Sequence, residues 1–222
     1  SKGLVGSEMC IRDSNGIDTE AFFPDKNIKK IPFRIVTTAS ADVPLKGLDY
    51  LLEAFSKVVQ IFPESTLEVI GSSKKGGHTT RKIKDLSIKD KVHFNKDLSF
   101  KEVRDLYCSS DIVVIPSLYE GFGFAIGEAM ACRAPVITTS GGAIPEVIGN
   151  CGITVAPGNS KELEEAMLKL LPDENLKNSL AEKGFNRIIE QLQWKEAAKL
   201  MTESYEAETV SYTHLRAHET LG

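Results

Sequence analysis

Short apolar, β-branched runs alternate along the chain with longer segments in which apolar residues recur at helical spacing. The run at residues 112–115 is apolar at every position, which is typical of a strand covered on both faces. Five other runs are predicted to be strands because they are short, β-branched and bounded by turn residues. They cover residues 33–38, 67–70, 92–94, 136–139 and 153–155.

Helices are predicted between these runs. The clearest helical period lies in residues 47–61, where Leu51, Leu52 and Phe55 fall on one apolar face. Ser99 and Glu102 have the spacing of a capping box at the start of a helix. The predicted helices cover residues 47–61, 80–87, 99–108, an apolar segment that runs on through Cys132, a short helix that starts at Pro145, and residues 160–171, 174–192 and 194–208.

This alternation of strands and helices predicts an α/β fold with a doubly wound parallel sheet. In such sheets, ligands bind beyond the carboxyl ends of the strands. Four loops that carry glycine, proline or charged residues follow predicted strands, so we expect the fold to bring them together. They are residues 38–47, 71–77, 117–124 and 139–146.

The two ends of the chain show neither hydrophobic periodicity nor turn patterns, so they are left out of the fold prediction. Residues 210–220 back-translate to a DNA sequence whose reverse complement, in one frame, encodes residues 4–13. Both ends are therefore predicted to be translated sequencing adapter, and the native part to be a piece of a longer gene product. The expected segments are adapter at 1–14, a linker at 15–31, the α/β domain at 32–192, a C-terminal helix at 193–209 and adapter at 210–222.

Composition excludes several classes of function. The net charge of the chain is −4, and it stays −4 without the two ends, which argues against a nucleic-acid partner. Cys108, Cys132 and Cys151 are far apart in the sequence and form no CxxC pair, which suits a reducing cytoplasm and no zinc site. We expect a cytoplasmic location and no metal site, and no apolar run is long enough to cross a membrane.

Two carboxylates bracket the stretch after the apolar strand, at Glu120 and Glu128. An ionised carboxylate beside an apolar helix is costly unless hydrogen bonds compensate it. A hydroxyl-rich ligand supplies such bonds. Two alternatives remain: Glu120 stabilises the first turn of the helix, or Glu128 pairs with a basic neighbour such as Arg133.

The ordered motifs of residues 15–205 resemble glycosyltransferase family 4, a family of retaining enzymes with the two-domain GT-B architecture. The resemblance rests on Lys46-Gly47 before a helix, the stretch of residues 116–123 (PSLYEGFG), Glu128-Ala129, Pro135-Val136, Gly141-Gly142 and Glu146. It implies that this chain is the Rossmann-like, donor-binding half of such an enzyme. The resemblance also implies that the acceptor-binding N-terminal domain of such an enzyme lies outside this sequence.

The resemblance also implies roles for individual residues. Lys46 is expected at the diphosphate of the donor and Glu120 at its sugar hydroxyls, and these two are the catalytic candidates. Glu128 is expected at the ribose. The family's Arg and the Gly before it are replaced by Ala41 and Ser40, which leaves the second phosphate cation missing. The donor-binding candidates are Ser40, Gly121, Phe122, Gly123, Phe124 and Glu128.

A second group of candidates carries a weaker signal. Phe94 ends a strand where the family contacts the nucleotide base, largely through its backbone. Gly141, Gly142 and Glu146 form another turn before a helix, for which a purely structural role is an equal alternative. The alternative for Lys46 is an ordinary solvated lysine. The alternative for Gly121 and Gly123 is a tight turn with no ligand.

The sequence thus predicts transfer of a sugar from a UDP- or GDP-linked donor, with no cofactor, to a carbohydrate or lipid-linked acceptor. The acceptor, and any peripheral contact with a membrane, would be held by the absent domain, so the chain alone is expected to be inactive. Alternatives are another GT-B enzyme, such as a nucleotide-sugar epimerase, or a non-catalytic nucleotide-binding module.

Overall fold

The computed structural model of the chain describes residues 15–40, 42–195 and 198–199. Six strands in this part form one sheet: β1 (Arg34–Thr38), β2 (Thr66–Ile70), β3 (Val92–Asn95), β4 (Ile112–Ile115), β5 (Val136–Thr139) and β6 (Ile153–Val155). All pairings are parallel, in the order β3-β2-β1-β4-β5-β6. The chain winds outward from β1 to β3, then returns to the centre at β4 and winds outward again. The predicted doubly wound parallel sheet is confirmed.

Helices cover both faces of the sheet. They are α1 (Leu48–Ile61), α2 (His78–Asp85), α3 (Phe100–Ser109), α4 (Phe124–Ala131), α5 (Ile144–Ile148), α6 (Ser160–Leu170) and α7 (Glu174–Gln191). One buried cluster joins α1, α2 and α6 to the sheet, and another joins α3, α4 and α5 to its other face. The strands alternate between the two clusters, because Val113 belongs to one and Val114 to the other.

The predicted strands and helices of residues 33–192 lie within two residues of the observed ones, and the differences are a shift of α2 and two short 3-10 helices. Helix α2 begins two residues earlier than predicted because the carboxylate of Asp42, far away in sequence, accepts a hydrogen bond from the Thr79 amide at 3.0 Å. The 3-10 helices Pro44–Lys46 and Lys89–Lys91 were not predicted, since three residues carry no period. The predicted end segments 1–14 and 210–222, and most of the predicted helix over 194–208, lie outside the described residues.

The segment predicted as a linker packs onto the domain. Ile17 and Phe22 are buried, and the Ile17 amide donates to the Leu192 carbonyl at 2.7 Å. A Cβ on Gly127 would lie 2.3 Å from the Ile17 side chain, so the absence of a side chain at 127 allows this segment to approach α4. The segment therefore forms part of the surroundings of the neighbouring residue, Glu128.

Candidate functional site

The candidate site lies where the winding of the sheet reverses, at the carboxyl ends of the adjacent strands β1 and β4. We call it the junction site; it comprises the loops 38–47, 117–124 and 139–146. Backbone contacts join these loops: the Leu118 amide donates to the Leu45 carbonyl at 2.8 Å, and the Ala143 amide donates to the Glu120 carbonyl at 2.9 Å. The fold thus brings three of the four predicted loops together, and the fourth, residues 71–77, is not part of the junction site.

Lys46 is held by a close backbone approach. It ends the 3-10 helix Pro44–Lys46, and Gly47 follows with φ 65°, in the left-handed region that glycine tolerates best. A Cβ at Gly47 would lie 1.9 Å from the Pro116 carbonyl oxygen. Glycine is therefore required here, and it places Lys46 against the loop that follows β4.

Glu120 is the partner of Lys46. The Lys46 Nζ atom lies 2.8 Å from Glu120 Oε1, and the Ser117 hydroxyl donates to the same oxygen at 2.7 Å. The Glu120 side chain is 18 % exposed, and among the described residues its second oxygen, Oε2, accepts no hydrogen bond. Glu120 precedes α4 and lies outside its first turn, so the alternative of a helix-stabilising first-turn glutamate is wrong.

The loop after β5 holds Glu120 through its backbone. Glu120 and Gly142 form an isolated parallel bridge, and the Thr139 hydroxyl donates to the Ser117 carbonyl. Cβ atoms on Gly141 and Gly142 would lie 2.0 and 2.3 Å from the carbonyl oxygens of Leu118 and Glu120. Both glycines therefore have a structural role in the chain. Glu146 is exposed in α5, and the structure shows it in no contact with the Lys46–Glu120 pair.

The glycines between the acids differ from each other. Gly123 is the N-cap of α4 with φ 99°, and a Cβ there would lie 3.2 Å from Ile126. A Cβ on Gly121 would meet nothing within 4 Å, so the protein itself does not fill the space beside Gly121. The rings of Phe122 and Phe124 lie 4.8 Å apart. Because α4 begins at Phe124, its free N-terminal amides start there, and Gly121 and Phe122 lie outside the helix.

Glu128 lies one turn after Phe124 and faces a different environment. It lines a cavity of about 330 Å³, whose walls are Gly16, Ile17, Asp18, Ala21, Phe22, Phe100, Phe124 and Trp194. Among the described residues, no side chain or amide donates to its carboxylate. Burial raises the pKa of Glu128 to about 7. Arg133 lies 2.8 Å from Glu182 and stacks over the Phe185 ring, so the alternative of a Glu128–Arg133 pair is wrong.

Two groups near this site carried no sequence signal strong enough to find them. Tyr107 is fully buried in α3, its hydroxyl lies 2.8 Å from Thr38 Oγ1, and burial together with the charge of Glu128 raises its pKa. Ser117 stands within the PSLYEGFG stretch. Its hydroxyl, two residues after the buried strand β4, could have indicated a role at the carboxyl edge of the sheet. Tyr107 lies in a helical pattern where an aromatic residue normally indicates core.

The remaining candidates contribute little side chain to the site. Ser40 is exposed after β1, and Ala41 lies outside the described residues. Phe94 is half-buried in β3, and its side chain packs against the buried cluster that joins α1, α2 and α6 to the sheet. Within residues 15–40, 42–195 and 198–199, no three metal-ligating side chains come together, and no helix is long and apolar enough to cross a membrane.

Comparison with known proteins identifies the family. Residues 32–173 match the family model described as glycosyl transferases group 1. The chain belongs to the glycosyltransferase group 1 family. It is 34% identical over 194 residues to the MMP alpha-(1->4)-mannosyltransferase of Mycolicibacterium hassiacum, an alignment that covers 86% of this chain and 46% of the relative.

Solved glycosyltransferase structures share the fold. The sucrose-phosphate synthase from Thermosynechococcus elongatus superposes with a TM-score of 0.79 at 22% identity, covering 90% of this chain and 52% of that one. An Anabaena protein, HepE, in complex with UDP-glucose gives 0.76 at 20% identity, covering 86% and 56%. This glycosyltransferase chain therefore spans about half the length of the curated relatives it matches.

Proposed function

We propose that the chain is the donor-binding half of a retaining, family 4 glycosyltransferase with GT-B architecture. It takes a nucleoside diphosphate sugar, linked to UDP or GDP, and the sugar passes to a carbohydrate or lipid-linked acceptor. The family match and the geometry of the junction site support this proposal. The Anabaena protein carries UDP-glucose on the same fold.

The observation that carries the proposal is the state of Glu128. A half-buried carboxyl with no donor among the described residues lies in a cavity whose walls include the rings of Phe22, Phe100 and Trp194. Buried carboxylates normally have hydrogen-bond partners, so a missing partner indicates a place that a ligand completes. Ribose hydroxyls would donate to Glu128, and the aromatic rings suit the flat face of a base.

At the other end of the site, Lys46 serves the leaving group. Departure of the sugar leaves negative charge on the diphosphate, and a fixed cation stabilises that charge. Lys46 is bonded to Glu120 in the structure, so a bound diphosphate competes with Glu120 for the ammonium group. The amides at the start of α4 add donors for phosphate oxygens.

Glu120 then faces the sugar. Its Oε1 accepts from Ser117 and Lys46, while Oε2 accepts no hydrogen bond among the described residues, and the space beside the next residue, Gly121, is unfilled. A carboxylate in this state accepts hydrogen bonds from sugar hydroxyls and fixes the ring relative to the diphosphate. Transfer also needs an acceptor held opposite, so the chain alone is expected to bind the donor and to transfer little or no sugar.

The test is ligand-observed NMR and calorimetry of the chain with UDP-glucose and GDP-mannose. We expect saturation transfer to the ribose protons, and a loss of about tenfold or more in affinity for Glu128→Gln, because charged hydrogen bonds contribute about 1.5–3 kcal/mol. Glu64→Gln is the matched control, since Glu64 is exposed at the opposite edge of the sheet.

Three outcomes count against parts of the proposal. Failure of the chain to bind any nucleotide sugar would leave the family membership intact but would favour a decayed binding module. If the native protein and Glu128→Gln bound UDP-glucose with equal affinity, the ribose would not lie in the Glu128 cavity. Measurable sugar transfer by the chain alone would refute the expected inactivity.

A further inference from the structure

A second, larger cleft lies beside the junction site. Its volume is about 740 Å³, and it opens between the 3-10 helix Pro44–Lys46, α1 and α2. Its lining includes Pro44 and Leu118 but neither Lys46 nor Glu120, so it is adjacent to their ion pair and separate from it. Its charged lining residues are Asp42, Asp49, Glu53, Lys74, Lys75, His78, Arg81 and Lys82. We call it the cationic cleft.

The acidic side chains of this cleft are already engaged. Glu53 lies 2.6 Å from the Lys82 ammonium and accepts from the Ser160 hydroxyl at 2.8 Å. Asp49 lies 2.7 Å from the His78 ring. Asp42 accepts from the amide and the hydroxyl of Thr79, and these bonds lower its pKa. Each acid therefore has partners of its own.

The cations Lys74, Lys75 and Arg81 are different. In the described part of the chain, none of the three has a salt bridge or a side-chain hydrogen bond, although all three line the cleft. They come from the loop after β2 and from α2, on a chain whose net charge is −4. Three cations without a salt bridge around one concave surface favour the binding of an anion there.

The position of the cleft connects it to the chemistry. Leu118 lines the cleft, and Glu120 follows two residues later in the same loop. Pro44 lines it, and Lys46 ends the same 3-10 helix. A ligand whose charged group lies in the cleft could therefore extend past Pro44 and Leu118, so that its uncharged part reaches the edge of the junction site. Val43, Pro44 and Leu118 provide an apolar wall beside the cations.

We propose that the cationic cleft binds a phosphate-bearing group at one end of the acceptor, while the rest of the acceptor is held opposite this chain. This inference rests on the proposed function, because it takes the junction site to hold the donor. Arginine binds phosphate through a two-pronged fork and lysine as a point charge, so a dianion matches this set of cations better than a carboxylate does. The phosphate belongs either to a soluble phosphomonoester or to the headgroup of an anionic lipid.

The test measures phosphate binding by the chain itself. Glycerol 3-phosphate is titrated by calorimetry into the native protein and into the triple variant Lys74→Gln, Lys75→Gln, Arg81→Gln. We expect a loss of about tenfold or more in the variant, with affinity in the native protein falling as salt is added. The matched control removes the same charge elsewhere, with Lys57→Gln, Lys89→Gln and Lys183→Gln, and should bind within about twofold of the native protein.

A second arm separates the two sources of phosphate. Sedimentation with vesicles of phosphatidylcholine alone, or mixed with phosphatidylglycerol, shows whether the cleft recognises a lipid headgroup. Binding to the mixed vesicles that the triple variant loses and the control keeps assigns the ligand to a lipid. Binding to glycerol 3-phosphate alone assigns it to a soluble acceptor.

The two binding measurements distinguish a failure of this inference from a failure of the proposed function. Loss of phosphate binding in the triple variant, with UDP-glucose binding unchanged, supports both. Phosphate binding that survives the triple substitution, or that UDP-glucose displaces competitively, assigns the phosphate to Lys46 and overturns the inference. No binding to either probe also overturns it. If no nucleotide sugar binds but the cleft still takes phosphate, the proposed function fails and the anion site stands.

Discussion

Glu120 and Glu128 stand eight residues apart on either side of one turn, yet their surroundings are opposite. Glu120 has a cation at 2.8 Å and a hydroxyl at 2.7 Å, and its loop is bonded to the loop after β5. Glu128 has aromatic walls and no donor among the described residues. One carboxylate has an ion pair and a hydrogen bond within the protein, whereas the other has no donor among the described residues. An acid's type and spacing therefore do not determine its electrostatic state.

The largest effect is expected at Gly47, whose close approach to Pro116 places Lys46 beside Glu120. Gly47→Ala places a methyl group where the Pro116 carbonyl stands, at a residue with φ 65°. We expect a loss of about 3 kcal/mol or more in the free energy of unfolding, because backbone strain adds to a steric clash that no side chain can relieve. Denaturant unfolding measures it.

Gly76→Ala is the matched control for this substitution. Gly76 also has a positive φ, of 73°, but a Cβ there meets nothing within 4 Å. Only the conformational strain remains, so the expected loss is about 1 kcal/mol. Equal losses for the two variants would show that the approach of Gly47 to Pro116 does not matter.

The next effect concerns Glu128 and pH. Its pKa is raised from 4.5 to about 7 in the folded protein, so between these values the folded state holds its proton more tightly than the unfolded state. The contribution of Glu128 to stability is therefore greatest below pH 4.5 and is lost as pH rises through about 7, by on the order of 1–3 kcal/mol. Glu128→Gln should remove this fall, as unfolding curves across pH 4.5–8 would measure.

Donor binding should show the opposite slope. Hydroxyl groups donate best to the ionised carboxylate, so the affinity for UDP-glucose should rise as pH increases through about 7. A nucleotide sugar has no terminal phosphate that ionises in this range, so its own charge stays constant. Glu128→Gln should bind with a flat profile, and a flat profile in the native protein would contradict the assignment.

A smaller effect is expected for the ion pair. The Lys46 side chain is 40 % exposed, so solvent screens its attraction to Glu120. A double-mutant cycle with Lys46→Met and Glu120→Gln should give a coupling of about 1 kcal/mol or less, reduced by salt. The same substitutions should nevertheless impair donor binding strongly. A coupling of several kcal/mol would mean that the pair is structural and is not free to exchange partners.

The smallest expected effect is at Arg133. It has φ 55° after the end of α4, where glycine relieves strain, but its pairing with Glu182 and its stacking on Phe185 oppose that gain. Arg133→Gly should change the free energy of unfolding by about 0.5 kcal/mol or less. The pH dependence of stability that is due to Glu128 should be unaltered in this variant. Loss of that dependence would mean that Arg133 is the partner of Glu128 after all.

The strands and long helices were predictable from the sequence because local periods encode them. Helix α1 shows its buried face in the spacing of Leu48, Leu51, Leu52 and Phe55, and β4 is apolar throughout. Helix α2 was less well defined, since its N-cap acceptor is Asp42, which is remote in sequence. The parallel sheet then followed from alternation alone, as did the meeting of loops at its carboxyl edge.

The state of the site was not predictable in the same way. The bond between Lys46 and Glu120 joins residues 74 positions apart, and no local pattern encodes it. The cavity of Glu128 depends on Phe22 and Trp194, which stand at opposite ends of the described chain and meet only after folding. The sequence therefore placed both acids near one edge, but it could not distinguish the paired acid from the unpaired one.

The backbone bridge between Glu120 and Gly142 determines which positions of this loop can accept substitutions without moving Glu120. Because main-chain atoms fasten this loop, the acid keeps its place whatever side chains flank it. Tyr119 projects into solvent, and Gly121 has room around it. These two positions are free to change and so to alter the surface around Glu120, while the Glu120 carboxylate stays in place.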